Sequence, residues 1–408
     1  MRFSLLTVLF LLTLSISRGQ SEEIRLASAD LNHYAPSLDS LVASTLEDIR
    51  ASKTDAALAN VDRIIAMRPD FKLAYLIKGD LLQAKAGALA KFGAAAGASE
   101  QAKLDGLKDE AKVRLMRYLD QPDPGKLPKQ ILQLAPSQRY ALLADADRAR
   151  LYVFENANGE PRLIRDYYVS VGRNGVNKRS EGDLKTPSGV YNITTELPRS
   201  KLTAFYGAGA FPLDYPNEWD TLQGNSGHGI WLHGVPPDTY SRPPKASEGC
   251  LVLANPDYQE IRRYIVPERT PIVIADRTEW LDRADWLAAR KDILMALDAW
   301  KADWQHLDAE HYLNRYSRDF LDRAGRGWAE SKRRNIVQKN WIRIGLADVS
   351  LFLYPSDNLA VLNFTQVYDS DKLSDVTRKR FYLKREDNHW RIALERSLQD
   401  DTSVARND

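Results

Sequence analysis

Cysteine occurs once in 408 residues, histidine six times and methionine four times. A single cysteine excludes an internal disulfide framework, so stability must come from packed cores. No grouping of His, Cys, Asp and Glu has metal-ligand spacing, so neither a metal nor another cofactor is expected. An excess of either charge is missing as well: 57 basic side chains face 55 acidic ones, a formal net charge of +2. That balance argues against a nucleic-acid-binding surface. After residue 16 there is no apolar run long enough to cross a bilayer. With 44% hydrophobic and 27% charged residues the composition is that of a globular chain, long enough for two or three domains.

The N-terminus carries the one apolar run. Met1-Arg2 supplies a positive start, Phe3 to Ile16 is almost wholly apolar, and small residues follow at Ser15, Ser17 and Gly19. This pattern predicts a cleavable secretory signal over residues 1–19, the alternative being a retained N-terminal helix. Removing it takes away Arg2 and Arg18 and no acid, which leaves basic and acidic side chains equal in number. No cysteine follows the run, so no lipid anchor is expected there. The mature protein is expected in the periplasm, without a membrane span. In that oxidising space a lone thiol, Cys250, is either buried and inert or retained for its chemistry.

The chain divides by periodicity. Residues 30–130 read as a helical region and linker. Leu41, Leu46, Ile49, Ala57, Val61, Ile64 and Ile65 recur at amphipathic-helix spacing, and a second pattern starts near Phe71 after Pro69. Ala57–Gly87 looks like one tetratricopeptide helical pair, which cannot bury its own face and should pack on the domain that follows. Ala84–Ala98 is read as a helix end and connection, and Pro122, Pro124 and Pro128 mark a linker. Residues 138–276 are strand-rich, with runs at Tyr140–Ala144, Ala149–Glu155, Leu163–Val171, Gly189–Thr194, Gly229–Leu232 and Pro271–Ala275, and a helix at Pro256–Tyr264. A β-rich sandwich or barrel-like domain is expected. Over 280–400, Ile293, Leu297, Trp300, Trp304 and Leu307 form a helical stripe. Asp308 is placed as the N-cap of a second helix through Phe320, and three strand-like segments follow at Trp341–Tyr354, Leu359–Tyr368 and Arg380–Glu395. The fold class is therefore multidomain: α-helical, then β-rich, then an α+β unit of helices on a curved sheet.

The chemistry concentrates in Gly229-Ile-Trp-Leu-His-Gly234, a 12-residue spacer with four prolines, and Ser247-Glu-Gly-Cys-Leu-Val-Leu-Ala-Asn255. A thiol attacks a carbonyl as thiolate, so it needs a neighbour to take its proton. His233, at the end of an apolar strand, can do so if the spacer loops back to Cys250. Gly249 lets the backbone approach closely, and N–H groups around Gly249 and Cys250 would face a tetrahedral oxyanion. His228, five residues before His233, falls on the opposite face of a continuous strand, so a shared metal is not expected. Seven of nine tryptophans lie after Asp276; they are read as core of the last domain, with an aromatic ligand pocket as the alternative.

His-Gly, the spacer, Ser-x-Gly-Cys and Asn five residues after the cysteine together resemble the L,D-transpeptidase (YkuD-like) signature. Ser170-Val-Gly172, then Gly182-Asp-Leu-Lys-Thr-Pro-Ser-Gly-Val-Tyr191, and Thr270-Pro-Ile-Val-Ile274 resemble further segments of that family in order. The resemblance implies Cys250 as nucleophile and His233 as its base, with Gly234, Ser247, Gly249 and Asn255 shaping the loop. It also implies attack on the L–D bond at the diaminopimelate centre of peptidoglycan stem peptides through a thioester, with transfer to an amine or to water. Many members carry Arg two residues after the cysteine, where this chain has Val252, a departure that puts cross-linking in question. Trp300-Lys-Ala-Asp-Trp304, Asp308, Gln366-Val-Tyr368 and Trp390-Arg-Ile392 resemble an NTF2-like cone, as in wall-trimming relatives. Alternatives left open are an L,D-carboxypeptidase, an amidase releasing wall-bound protein, and a non-catalytic wall-binding scaffold. The helical region could recruit a wall-associated protein or serve as an inert packing module.

Overall fold

The computed structural model describes residues 38–86, 101–356 and 358–398. The expected signal segment 1–19, the helical region before residue 38 and most of Ala84–Ala98 lie outside the described residues. Helices α1 (Leu38–Arg50), α2 (Thr54–Met67), α3 (Lys72–Ala86) and α4 (Gln101–Leu119) come first. The spacing from Leu41 to Ile65 predicts one helix, but the structure has two. Ser52 turns to φ 59, and the N–H groups of Ala51 and Lys53 close the last carbonyls of α1 before the chain reverses. Pro69 ends the second helix as expected. Leu41, Val61, Ile64, Leu73, Ile77 and Leu81 share one core with Tyr240 and Ala254 of the next domain, so the helices complete their burial on that domain.

The central region contains β1 (Leu127–Pro128), β2 (Ile131–Gln133), β3 (Tyr140–Asp145), β4 (Arg150–Ala157), β5 (Glu160–Tyr168), β6 (Val171–Gly172), β7 (Gly189–Asn192), β8 (Ala210–Pro212), α5 (Glu218–Leu222), β9 (Trp231–His233), β10 (Lys245–Ser247), β11 (Leu251–Val252), α6 (Asn255–Ile261), β12 (Pro271–Ala275) and β13 (Trp280–Leu281). A five-stranded sheet ordered β5-β4-β3-β12-β7 is its base, and a three-stranded sheet β11-β9-β8 and the pair β10-β6 build the site. Every position of β3 is buried because both faces of the base sheet are covered. Leu142 and Ala144 face the core that holds Leu232 and Leu251. Ala141 and Leu143 face Phe352, Val361 and Tyr382 of the C-terminal sheet.

The last region has α7 (Arg283–Gln305), α8 (Ala309–Asn314), α9 (Arg318–Val337), β14 (Ile342–Leu353), β15 (Leu359–Ser370), β16 (Ser374–Glu386) and β17 (His389–Leu398). Three expectations change here. Asp308 does cap a helix, accepting from His311 N–H at 3.0 Å. That helix stops at Asn314, however, and Ser317 caps a new one by accepting from Phe320 N–H. Arg380–Glu395 is not one strand but β16 and β17, turned at Asp387 and Asn388, both with positive φ. The linker after Pro124 is structured: Leu127–Pro128 pairs with Trp280–Leu281, and β2 adds to β14, giving the sheet order β17-β16-β15-β14-β2. An edge strand left open by β14 is thereby covered. The tryptophans pack as core: Trp286, Trp300 and Trp390 are buried, with Trp304 and Trp328 against them.

Candidate active site

β9 and β11 run parallel, with Leu251 opposite Leu232 and Val252 opposite His233. One residue earlier, Cys250 lies level with Trp231, whose backbone N–H is directed at the sulfur. The spacer thus does return Cys250 to the strand that carries His233, on neighbouring strand ends.

His233 is 1% exposed. Its Nδ1 lies 2.6 Å from the Gly234 carbonyl oxygen. A carbonyl only accepts, so Nδ1 bears the hydrogen and Nε2 keeps the free lone pair. Burial pulls the imidazole pKa down to about 4, the Gly234 hydrogen bond opposes that, and the charge of Arg242 adds to it. Cys250 is half-buried and its thiol donates to the Gly229 carbonyl at 3.4 Å. Burial raises the thiol pKa above its ordinary value, against the pull of the Trp231 N–H and Arg242. At neutral pH the resting pair is therefore a neutral thiol beside a neutral imidazole. Among the described residues no hydrogen bond joins the sulfur to His233, so the thiol must turn from Gly229 before its proton can move. Catalytic contacts of this kind commonly tighten only with substrate bound.

The loop around Cys250 is held by its own residues. Gly249 has φ 133, and a side chain there would place Cβ 2.8 Å from the Lys185 carbonyl oxygen and 3.0 Å from Ile230 Cδ1. Lys185 belongs to the Gly182–Tyr191 segment, so this segment packs against the Cys250 loop. Ser247 is buried; its hydroxyl donates to the Cys250 carbonyl at 2.6 Å and accepts from the Gly249 N–H at 3.1 Å. That second bond corrects an expectation: the Gly249 N–H is engaged and does not face an oxyanion. Among the described residues the Cys250 N–H has no acceptor and stays available for one. Asn255 acts at a distance from the sulfur. Its Oδ1 accepts from the N–H groups of Ala208 (2.8 Å) and Val235 (3.2 Å), and its Nδ2 donates to the Val235 carbonyl (2.8 Å). A side chain at Gly234 would collide with that carboxamide. Asn255 and Gly234 together tie the chain after His233 to residues 206–208.

Those residues bring an aromatic wall that sequence reasoning missed. The rings of Tyr206 and Phe205 lie 5.1 and 5.9 Å from His233, and Tyr206 lies 4.7 Å from Trp231. Phe205 is nevertheless 50% exposed. The Arg242 guanidinium sits 4.8 Å above its ring. Phe-Tyr-Gly before an apolar strand was a faint signal; nothing in the proline-rich spacer pointed to Arg242. His228 is exposed, 3.7 Å from Glu181, and takes no part.

The spacer is braced from the helices and from its own domain. Ser241 donates to Glu110 of α4 at 2.6 Å. Tyr240 packs edge-on to Phe71 at 5.1 Å and under Arg68 at 4.5 Å. The Tyr168 hydroxyl donates to the Arg242 carbonyl, and Ser170 to that of Pro243, both at 2.6 Å. Glu110 in turn pairs with buried Arg114, which also holds Asp39 of α1. A cavity of about 1180 Å³ runs along α4 past Arg117, Asp166 and Pro243–Lys245 and is lined by neither Cys250 nor His233.

The architecture is thus helices, then a β-rich domain with Cys250 and His233 on neighbouring strands, then helices on a curved sheet. Residues 139–274 match the YkuD L,D-transpeptidase catalytic domain, and residues 292–396 match the Cds6 C-terminal NTF2-like domain. The chain carries a catalytic domain of the peptidoglycan-acting L,D-transpeptidase family followed by an NTF2-like domain. No curated protein matches it. Among solved structures, Bd1075 of Bdellovibrio bacteriovorus superposes with a TM-score of 0.61 at 26% identity, over 68% of this chain and 99% of that one. Pgp2 of Campylobacter jejuni, a helical cell shape determining protein, superposes with a TM-score of 0.55 at 23% identity, over 65% of this chain and 95% of that one. Among the described residues no helix is long and apolar enough to cross a membrane.

Proposed function

We propose that this chain is an exported, periplasmic cysteine enzyme that trims peptidoglycan stem peptides as an L,D-carboxypeptidase, with Cys250 as nucleophile and His233 as general base. The observation that carries the reading is the strand register that sets Cys250 beside a buried, neutral His233 inside an L,D-transpeptidase-type domain. The thiol proton passes to Nε2 of His233 as Sγ bonds to the carbonyl carbon at the L-centre of diaminopimelate. The Cys250 N–H receives the oxyanion. Collapse breaks the L–D amide bond, His233 returns the proton to the leaving amine, and a thioester remains. Water, deprotonated by His233, attacks the thioester, and the thiol leaves as it recovers its proton. Val252, standing where many relatives have arginine, supports water rather than an amine as acceptor. Likeness across nearly the whole of Pgp2 extends the reading to trimming that affects cell shape.

The test is to incubate the mature protein, and its Cys250→Ala form, with tetrapeptide muropeptides and to read the products by mass spectrometry. Loss of terminal D-alanine only with Cys250 present is expected. Cys250-dependent dimers would instead mark a transpeptidase. No change in either sample would return the chain to the scaffold reading.

A further inference from the structure

A half-buried cation near Cys250 and His233 has no anionic partner among the described residues. Among the described residues the Arg242 guanidinium makes no ion pair and no side-chain hydrogen bond; it rests on the face of Phe205 at 4.8 Å. A guanidinium partly removed from water and left without an anion is costly to hold. Its backbone is nonetheless pinned at every neighbouring position, through Ser241 to Glu110, through its own carbonyl to Tyr168, and through Pro243 to Ser170. The ring it rests on is itself packed 5.9 Å from His233. Its charge is close enough to act on both His233 and Cys250. Arrangements that hold a planar, forked donor in a fixed place without an acceptor suit a carboxylate delivered by a ligand.

Building on the function proposed above, we infer that Arg242 is a specificity-determining residue that binds the free α-carboxylate of the D-residue released from the stem peptide. The chemistry of the substrate selects that carboxylate. It is separated from the scissile carbonyl carbon by only the amide nitrogen and one carbon, so it accompanies the bond placed at Cys250. The second carboxylate of diaminopimelate lies at the far end of a side chain. The consequence is an exopeptidase: a stem peptide whose terminal D-residue is already joined in an amide offers Arg242 no anion and is a poor substrate. The arginine missing at position 252 is thus replaced in charge, from a different segment, by one aimed at the leaving group.

The experiment compares kcat/KM for a diaminopimelate tetrapeptide ending in free D-alanine with that for its C-terminal amide. The protein is used as the wild type, as Arg242→Gln and as Arg242→Lys, with circular dichroism to confirm folding. The wild type is expected to prefer the acid by about 10- to 100-fold, the scale of one charged hydrogen-bonded contact. Arg242→Gln should bring that ratio close to one, and Arg242→Lys should leave it in between. A structural role alone would lower both substrates together and leave the ratio intact, which would overturn the inference. Discrimination that follows amidation of the diaminopimelate side-chain carboxylate instead would overturn it too. Should the wild type cleave neither peptide, the carboxypeptidase reading itself fails, a result distinct from cleavage without preference.

Discussion

The two walls of the candidate site are built in opposite ways. One wall, His233 and Cys250, stands on short parallel strands inside the catalytic domain, where ladder hydrogen bonds and Ser247 set every backbone position. The other, residues 240–244 with Arg242, is an irregular, proline-rich segment that cannot hold itself. It is held by Glu110 of α4, by Phe71 and Arg68 from the turn between α2 and α3, and by Tyr168 and Ser170 of the catalytic domain. The difference assigns the helices a task. Together with Tyr168 and Ser170 they brace the wall that carries Arg242, whereas the proposed nucleophile and base stand on the strand-borne wall.

The largest expected effect belongs to the strand-borne wall. Cys250→Ala should lower turnover by about 10⁴-fold or more, and His233→Asn nearly as much, with folding unchanged. Equal, modest losses from both would break the assignment of nucleophile and base. Gly249→Ala comes next. Its Cβ would press on the Lys185 carbonyl at φ 133, so kcat should fall about 100-fold and stability by about 1–3 kcal/mol in urea titration.

The pH profile sharpens the contrast further. A base pulled down to about 4 by burial stays neutral through pH 5 and 6, so the acid limb of kcat/KM should have its midpoint near 4 rather than near 6.5. The sign for stability agrees. Because the folded pKa lies below the unfolded one, the stabilisation is present above pH 6.5 and is lost as pH falls toward 4. Arg242→Gln removes a charge that lowers this pKa, so its acid limb should move upward. The smallest effect is expected from the brace. Ser241→Ala should leave kcat nearly intact and raise KM a few-fold for the acid substrate alone. A matching fall in kcat for the amide substrate would show that the helices support the whole site and not one wall.

What could be read beforehand follows the same division. Cys250, His233, Gly249 and Ser247 are close in sequence and tied by local bonds, so their spacing carries their geometry. Strands such as Tyr140–Asp145 and Pro271–Ala275 were legible because runs of buried β-branched and aliphatic residues need two covered faces. Arg242 was not legible, since its meaning depends on Phe205 and on Glu110 more than a hundred residues away. The role of the Gly249 N–H is hidden for a subtler reason: the Ser247 hydroxyl competes for it, and that competition depends on the fold of the loop. The pairing of Ile131–Gln133 with a strand beyond residue 340 escaped the sequence for the same reason of distance. The break at Ser317 did leave a mark, a serine before an acidic first turn, that the aromatic spacing of Tyr312, Tyr316 and Phe320 concealed.

A Cys250-dependent acyl transfer to water can be read directly by mass spectrometry of the protein and its products after a brief mixing with tetrapeptide muropeptide. A transient adduct on Cys250 equal in mass to the tripeptide acyl group, free D-alanine, and a tripeptide product are expected, all absent from Cys250→Ala. Release of D-alanine that survives the loss of Cys250, or an adduct that resolves only into cross-linked dimers, would contradict it.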